Sequence, residues 1–596
     1  MDAADTMSNS VDRLHNRIDL THIPFTDRGT RLLLFMEHDA VSIRLAERWV
    51  KWERQVGHYR QRPPMIERLT ISDAEGTQCT LSPDTFPHVA GLNTTIGRFE
   101  WIFVDAETLM LRLPEGRFRL SCIIHAERAA TDRRGVTLHG KRNVALTTNA
   151  VIEANTIAQI SEELFESHLT LTAGRGQVLL VNITPRLAYN RAIGDPEQAL
   201  KAAQDRWDAW FARAPEVLPL YREQYNYALW VMRVGLLDTR YFFTREACVP
   251  SKVHYVGVWH WDQFFHALAY RHLDRKLAED QIRIVLDHQR EDGMLPDAIH
   301  DEGLVTRLTQ PVEEDVTKPP LAAWTVLKLF EVSGNLDFLQ EVYEPLCRWH
   351  RWWENHSRAS GSLCEYRHPF SSGLDDSPLW DEGMPVTAPD LNTYLCLQAE
   401  SLGTIADRIG LLAEAAQWRE NAAQRAREMQ EVLWDEQAGL FQALHLGQPV
   451  DVRTPFHLLP LWVGHWPQEI TERLLTHLTN PASFWSPWPL PTVALNDPKF
   501  DPKQMWRGPV WVNINYLFIE ALGRIGEHDL ARTLRHRTLD LIMQHRDIYE
   551  YYDPLTGERP PKAAPVFGWT SAVFVDLALQ ETQASQAVSK EEGLST

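Results

Sequence analysis

Ser372-Gly373-Leu374-Asp375-Asp376-Ser377-Pro378-Leu379-Trp380-Asp381 concentrates three acids and a tryptophan in ten residues. A glycine near its start and a central proline exclude a regular helix, so the stretch reads as a shaped loop. On its own it reads equally well as a solvated acidic turn. A second acid, Glu550, lies far downstream in Tyr549-Glu550-Tyr551-Tyr552-Asp553-Pro554. Two carboxyl groups held in an aromatic hollow are what cleavage of a glycosidic bond requires, one to give a proton and one to activate water. Asp375 and Glu550 are therefore the candidate catalytic pair, and the rest of the chain must bring them together.

The composition narrows the partners. A formal net charge of -20 opposes nucleic acid and anionic membrane as partners and suits a neutral carbohydrate substrate. No apolar run reaches the roughly 18 residues of a membrane span. Met1–Ser10 carries neither a basic nor an apolar segment of a secretory leader, which predicts a cytoplasmic protein. The six cysteines are scattered without a CxxC pair, and the histidines show no metal-ligand spacing; free thiols, no metal and no cofactor are expected. Of 22 tryptophans, only Trp49, Trp52 and Trp101 fall in the first 200 residues. Indole faces stack on sugars, and they also fill large helical cores.

Along the chain, residues 1–20 have little pattern and are expected to be mobile. Residues 21–190 read as strands. Leu109, Leu111 and Leu113 alternate with Met110 and Arg112, Leu169 and Leu171 alternate with threonines, and Val178–Ile183 is a short apolar run. Turn residues separate these runs, as in an antiparallel β-sandwich. Residues 191–217 read as a helical linker. Residues 218–583 then carry twelve helical periods, the eighth near 455–464, and 584–596 reads as a mobile tail. Twelve antiparallel helices can close as six inside six, an (α/α)6 barrel, although an open array has similar periods. The unusual residues decide for the ring. Trp259-His260-Trp261-Asp262, Thr317-Lys318-Pro319-Pro320, the Asp375 loop, Met505–Trp511 and the segments of Glu550 and Trp569 all fall in odd-to-even connections. They share one end of the helical stack, whereas Ile409-Gly410 and Ile525-Gly526 at the other end are short and plain. The fold expected is mainly α, an (α/α)6 barrel preceded by an antiparallel β-sandwich.

The segments Trp259–Asp262, Thr317–Pro320, Ser372–Pro378, Trp506–Tyr516 and Glu550–Gly557 together resemble glycoside hydrolase family 63 and, more distantly, the family 37 trehalases. The resemblance implies removal of α-linked sugars with inversion, with Asp375 as general acid and Glu550 as general base. Three positions depart from the family's motif. Asp376 stands where Asn is usual, Leu379 where Arg is frequent, and Ser371 where Glu is common; these bear on the leaving-group side.

Trp259, Trp261, Asp262, Lys318, Trp380, Trp506, Arg507, Trp511 and Trp569 are the expected substrate-binding residues. Asp262 is suited to accept from adjacent hydroxyls, and equally to cap its helix. Arg507 reads either as a ligand to hydroxyls or as a salt bridge holding its loop. The function expected is an inverting, exo-acting α-glycosidase that releases terminal glucose from a di- or oligosaccharide or a small glucoside. A trehalase, a debranching-type glucosidase and a non-catalytic carbohydrate-binding protein are the alternatives.

Overall fold

In the computed structural model the described residues are 11–48 and 62–594, with side chains described through 587. Trp49, Trp52 and residues 1–10 of the segment expected to be mobile lie outside them. The chain divides into two compact units. One holds residues up to Ala214 with Leu229–Asp238 and Lys252–Val256; the other holds Pro215–Ala228, Thr239–Ser251 and everything from Gly257 on.

The first unit is built from two antiparallel sheets. One contains β1 (Leu32–Glu37), β2 (Ala40–Leu45), β3 (Ile66–Ser72), β8 (Gly116–His125), β13 (Leu164–Ala173) and β12 (Val151–Ser161), in that spatial order. The other runs β4 (Ser82–Phe86), β5 (Val89–Thr94), β6 (Gly97–Asp105), β7 (Thr108–Arg112), β14 (Val178–Thr184), β11 (Asn143–Thr148), β10 (Gly135–His139), β9 (Arg128–Asp132). β13 alternates buried and half-buried residues, with Leu169 and Leu171 buried and facing Leu120 and Phe118 of β8 in register. Phe99 of β6 meets Phe118 edge-on, centroids 5.2 Å apart, joining the two sheets. The unbroken apolar run of β14 is buried on both faces. Its second face is covered by α1 (Pro196–Phe211): Met110, Val178 and Leu180 pack under Ile193 and Ala199. Nearby, Ala203 packs on Val89 and Ile102. The segment expected as a linker is thus a packed layer of this unit, because α1 offers the sheet an apolar stripe while Asp195 caps its N-terminus through the N–H groups of Glu197 and Gln198. The expectation of a mobile segment through residue 20 is corrected too. Leu14, Ile18 and Leu20 are buried, and the Asn16 N–H donates to the Thr85 carbonyl at 2.8 Å.

The second unit supplies the helices α2 (Arg222–Val234, which ends in the first unit), α3 (His260–Tyr270), α4 (Arg275–Leu286), α5 (Ala322–Ser333), α6 (Leu336–His356), α7 (Pro389–Arg408), α8 (Leu412–Leu433), α9 (Gln468–Leu478), α10 (Val512–Arg524), α11 (His528–Met543) and α12 (Gly568–Leu594). Contacts run from α3 to α5, α5 to α7, α7 to the segment 459–463, that segment to α10, α10 to α12, and α12 back to α3. The inner ring is therefore closed. Its helices are apolar nearly all round, as a helix packed on every side must be, and every residue of α3 is buried. The outer helix α6 alternates buried and exposed faces. The connections that follow α7 and α10 turn on glycines in the left-handed region, Gly410 and Gly526, both at φ 85°, where a residue without Cβ turns the chain at no steric cost.

Two expectations need correction here. The eighth ring member is not an α-helix but two 3-10 turns, Pro455–His457 and Leu459–Val463. Pro455 and Pro460 remove two amide donors, and Gly464, at φ 87°, ends the segment. The tail from 584 is not separate from the last helix, which continues to Leu594.

Candidate active site

The N-terminal ends of the inner helices carry the chemistry. The acid loop is shaped by two 3-10 turns, Pro369–Ser372 and Pro378–Trp380, on either side of Gly373. Gly373 has φ 74°, and a Cβ built on it would lie 2.4 Å from the Trp261 indole. The loop backbone therefore rests directly on a ring from α3, and no side chain fits between them. Leu374 donates its N–H to Ser372 Oγ at 3.0 Å, and its carbonyl accepts from Trp380 Nε1 at 2.7 Å.

Asp375 follows at once. Its side chain stays about a third accessible, at 32%. Burial raises its pKa to about 7; the Lys318 ammonium opposes the shift, and the carboxylates of Asp297 and Asp376 add to it. Lys318 lies 2.9 Å from Asp297 and 3.8 Å from Asp375, and donates to the Phe370 carbonyl at 2.6 Å. Its charge is thus nearly 1 Å closer to Asp297. Burial raises the Asp297 pKa as well, and the lysine opposes that shift too. Burial depresses the lysine, but Asp297 and Asp375 outweigh it and its pKa is raised.

Asp297 is a candidate site residue that the sequence does not single out; it ends the turn Asp292-Gly293-Met294-Leu295-Pro296-Asp297. A short hairpin positions it. Val258–Trp259 pairs with Ala298–His300, the His260 N–H donates to the Asp297 carbonyl at 3.3 Å, and His260 Nδ1 lies 2.7 Å from the Pro296 carbonyl. Burial holds His260 down to about 3, so the ring beside Lys318 is neutral.

Asp376, the next residue, is occupied otherwise. One oxygen accepts from the Trp506 N–H at 2.8 Å and the other from Gln504 Nε2 at 2.6 Å, while its carbonyl accepts from Arg507 at 3.2 Å. Two oxygens facing two donors account for an acid where the related motif has Asn. Ser371, at another departure, accepts the Thr317 N–H on its Oγ at 3.3 Å. Leu379 is buried.

Glu550 is buried in the segment leading to α12. Its N–H donates to the Ala564 carbonyl at 2.9 Å, and its Oε2 accepts the Ala564 N–H at 3.0 Å, so the side chain is pinned to the facing strand. Asp262, in the first turn of α3, is buried too. Burial puts its pKa well above the usual carboxylate range, Lys318 opposes, and Glu550 and Asp297 push it further up. Tyr551 is raised mainly by burial, then by Glu550 and Asp376 together. Asp262, Lys318, Asp297, Asp375, Asp376 and Glu550 therefore form one electrostatic cluster, drawn from four connections of the ring.

The tryptophans divide. Trp506 and Trp511 stack at 3.8 Å with an interplanar angle of 5°. Trp511 meets Tyr551 at 4.8 Å and Trp569 at 5.4 Å, and Trp261 meets Trp569 at 5.3 Å and Trp506 at 6.2 Å. These rings form one aromatic wall around the acids. Trp259 packs edge-on against His300 at 5.4 Å and is half-buried. Trp380 and Arg507, expected as substrate-binding residues, make polar contacts with the frame. Trp380 spends its N–H on the acid loop. Arg507 makes a two-pronged ion pair with Asp381, at 2.9 and 2.8 Å, and is held protonated by it. Its planar fork spans the acid loop and the Met505–Trp511 segment, a task that a lysine would not match.

A model of the mannosylglycerate hydrolase MGH1-like glycoside hydrolase domain matches residues 255–570. The mannosylglycerate hydrolase of Thermus thermophilus is 28% identical over 398 residues, covering 54% of this chain and 95% of its own length. The glucosylglycerate hydrolase of Mycolicibacterium hassiacum is 25% identical over 413 residues, covering 54% and 92%. The crystal structure of a GH63 mannosylglycerate hydrolase from Thermus thermophilus in complex with glucose superposes with a TM-score of 0.52 at 25% identity, over 59% of this chain and 98% of that one. The closed helical ring, the acids at one mouth and this match over residues 255–570 lead to one conclusion: the chain belongs to the mannosylglycerate hydrolase-like glycoside hydrolases of family 63.

Proposed function

We propose that this glycoside hydrolase is exo-acting and inverting, and that it releases terminal α-linked glucose from a disaccharide or a small glucoside such as glucosylglycerate. The observation that carries the reading is a pair of carboxyl groups at one mouth, one of them with a raised pKa. Asp375 is raised to about 7 by burial and by like charge, while Glu550 is pinned on the α12 side by the Ala564 N–H. A carboxyl group that keeps its proton near neutral pH is suited to be the acid, and the second carboxyl group to be the base.

Asp375 protonates the glycosidic oxygen as the bond to the anomeric carbon breaks. Glu550 takes a proton from the water that attacks the opposite face of the ring. Inversion requires room for that water, with the two carboxyl groups roughly 6.5–9.5 Å apart. Asp262 receives sugar hydroxyls, and the Trp261, Trp506, Trp511 and Trp569 wall takes the apolar sugar face and excludes bulk water. The relatives' printed activities on mannosylglycerate and glucosylglycerate support a small anionic or neutral leaving group.

The test is proton NMR during turnover of kojibiose, nigerose, trehalose, maltose, glucosylglycerate and mannosylglycerate. β-Glucose appearing before α-glucose is expected. α-Glucose first would mean retention and would refute this pairing of acid and base. Turnover of mannosylglycerate alone would refute the choice of glucose.

The pH profile gives a second check. The acid works only when protonated, so kcat/KM, which reports the free enzyme, is expected to fall as pH rises through about 7. Lys318 lowers the Asp375 pKa, so Lys318→Met moves this alkaline limb to higher pH. Asp297 raises it and also draws Lys318 away, so Asp297→Asn moves the limb to lower pH. Limbs that stay in place in both variants would assign the titration to another group.

A further inference from the structure

The inner helices all start at the mouth that holds Asp375 and Glu550. A cavity of about 600 Å³ is lined by other stretches of α5, α7, α10, α11 and α12. Its lining includes Glu331 in the last turn of α5, Arg524 closing α10, His528 opening α11 and Gln580 of α12. Gln580 stands about 16 Å along α12 from Trp569, at 1.5 Å per residue. The volume is within the roughly 300–1,000 Å³ of small-molecule sites.

Two features describe what would fit. The cavity has an apolar side made by Trp324 and Trp462, whose rings meet at 5.4 Å and 83°. Its part-buried charges occur as pairs, while Glu331 and Arg532 are exposed at its edge. Lys328 lies 2.6 Å from Glu520, Arg524 lies 2.7 Å from Glu400, and Arg535 lies 3.0 Å from Glu581. An ion that reaches in past the edge has to separate one of these pairs and leave a part-buried charge behind, which is costly. A neutral polyhydroxyl compound does not. Its hydroxyls accept from the cation and donate to the carboxylate of the same pair, each as a charge-assisted hydrogen bond, while its C–H face lies on an indole.

We propose that this cavity is a second, non-catalytic binding site for a neutral sugar, with Trp324 and Trp462 as its platform and the Lys328–Glu520 and Arg524–Glu400 pairs as its hydroxyl ligands. It does not rest on the roles given to Asp375 and Glu550.

The test uses D-glucose, which has no glycosidic bond to cleave, and saturation-transfer NMR on the full chain. Asp262→Ala weakens the catalytic mouth and serves as the background. Glucose binding is expected to persist in that background. It is expected to weaken at least tenfold when Trp462→Leu or Lys328→Met is added, and inorganic phosphate and D-glycerate are expected not to compete. Where Lys328→Met alone fails to fold, Lys328→Met with Glu520→Met removes the pair without leaving a lone charge. Loss of all glucose binding in Asp262→Ala would overturn the proposal, as would binding indifferent to both added substitutions. Displacement by phosphate or glycerate would replace the neutral ligand by an anion and overturn it as well.

Discussion

Asp375→Asn is expected to lower kcat on an α-glucoside by about 10²–10⁴, the usual share of general acid catalysis, with KM changed by no more than a few-fold. Asn keeps the shape of the side chain and cannot give up a proton to the leaving oxygen. The loop should survive the change. Its geometry is set by Gly373 on Trp261, by Trp380 on the Leu374 carbonyl, and by Asp376 under Trp506 and Gln504, none of which involves the Asp375 carboxyl. The leaving group makes the prediction sharp. α-Glucosyl fluoride departs with little help from an acid, so the same variant should lose no more than about tenfold on it. Steady-state kinetics on the two substrates check this. Equal loss on both would show that Asp375 acts by position or charge and not by donating a proton.

Glu550→Gln should give the opposite pattern. The water must still be deprotonated whatever leaves, so a loss of about 10²–10⁴ is expected on the glucoside and on the fluoride alike. Gln retains an oxygen able to accept the Ala564 N–H that holds Glu550 Oε2, so the segment before α12 should keep its place. Added azide, a nucleophile that needs no base, should restore turnover of the fluoride and yield the β-azide. Recovery on the fluoride without azide would exchange the roles of the two carboxyl groups.

The parts of the molecule written as repeating periods were readable from the chain. Eleven of the twelve expected helical periods are α-helices, and the grouping of odd residues into alternate connections foresaw a mouth at one end of a ring now seen to close. The miss at 455–464 has a local cause: Pro455 and Pro460 sit on an apolar run of helical length, and tight turns bury such a run as well as a helix does. Burial of α1 on the sheet was not readable either, because a half-apolar helix signals that it needs a partner without saying which. The site was legible in its residue types more than in their tasks. Trp380 and Arg507 stand in the right segments, but only packing shows that their polar groups hold the loop. Asp297 was passed over because an acid after a proline in a turn resembles any solvated turn acid. Its distinction, a buried ion pair with Lys318, arises from a contact distant in sequence.

The closed ring has a consequence for the protein's manufacture. α12 seals the ring against α3, and the segment just before it carries Glu550 and leads into Trp569. A chain emerging from the ribosome therefore presents α3, α5, α7 and α10 with an unsealed apolar flank until its last helix has been made. Exposed flanks of this kind invite wrong association. Glu550 and the ring seal are made together, so a nascent or truncated chain that stops before α12 should be a sticky, unfinished ring rather than a smaller enzyme.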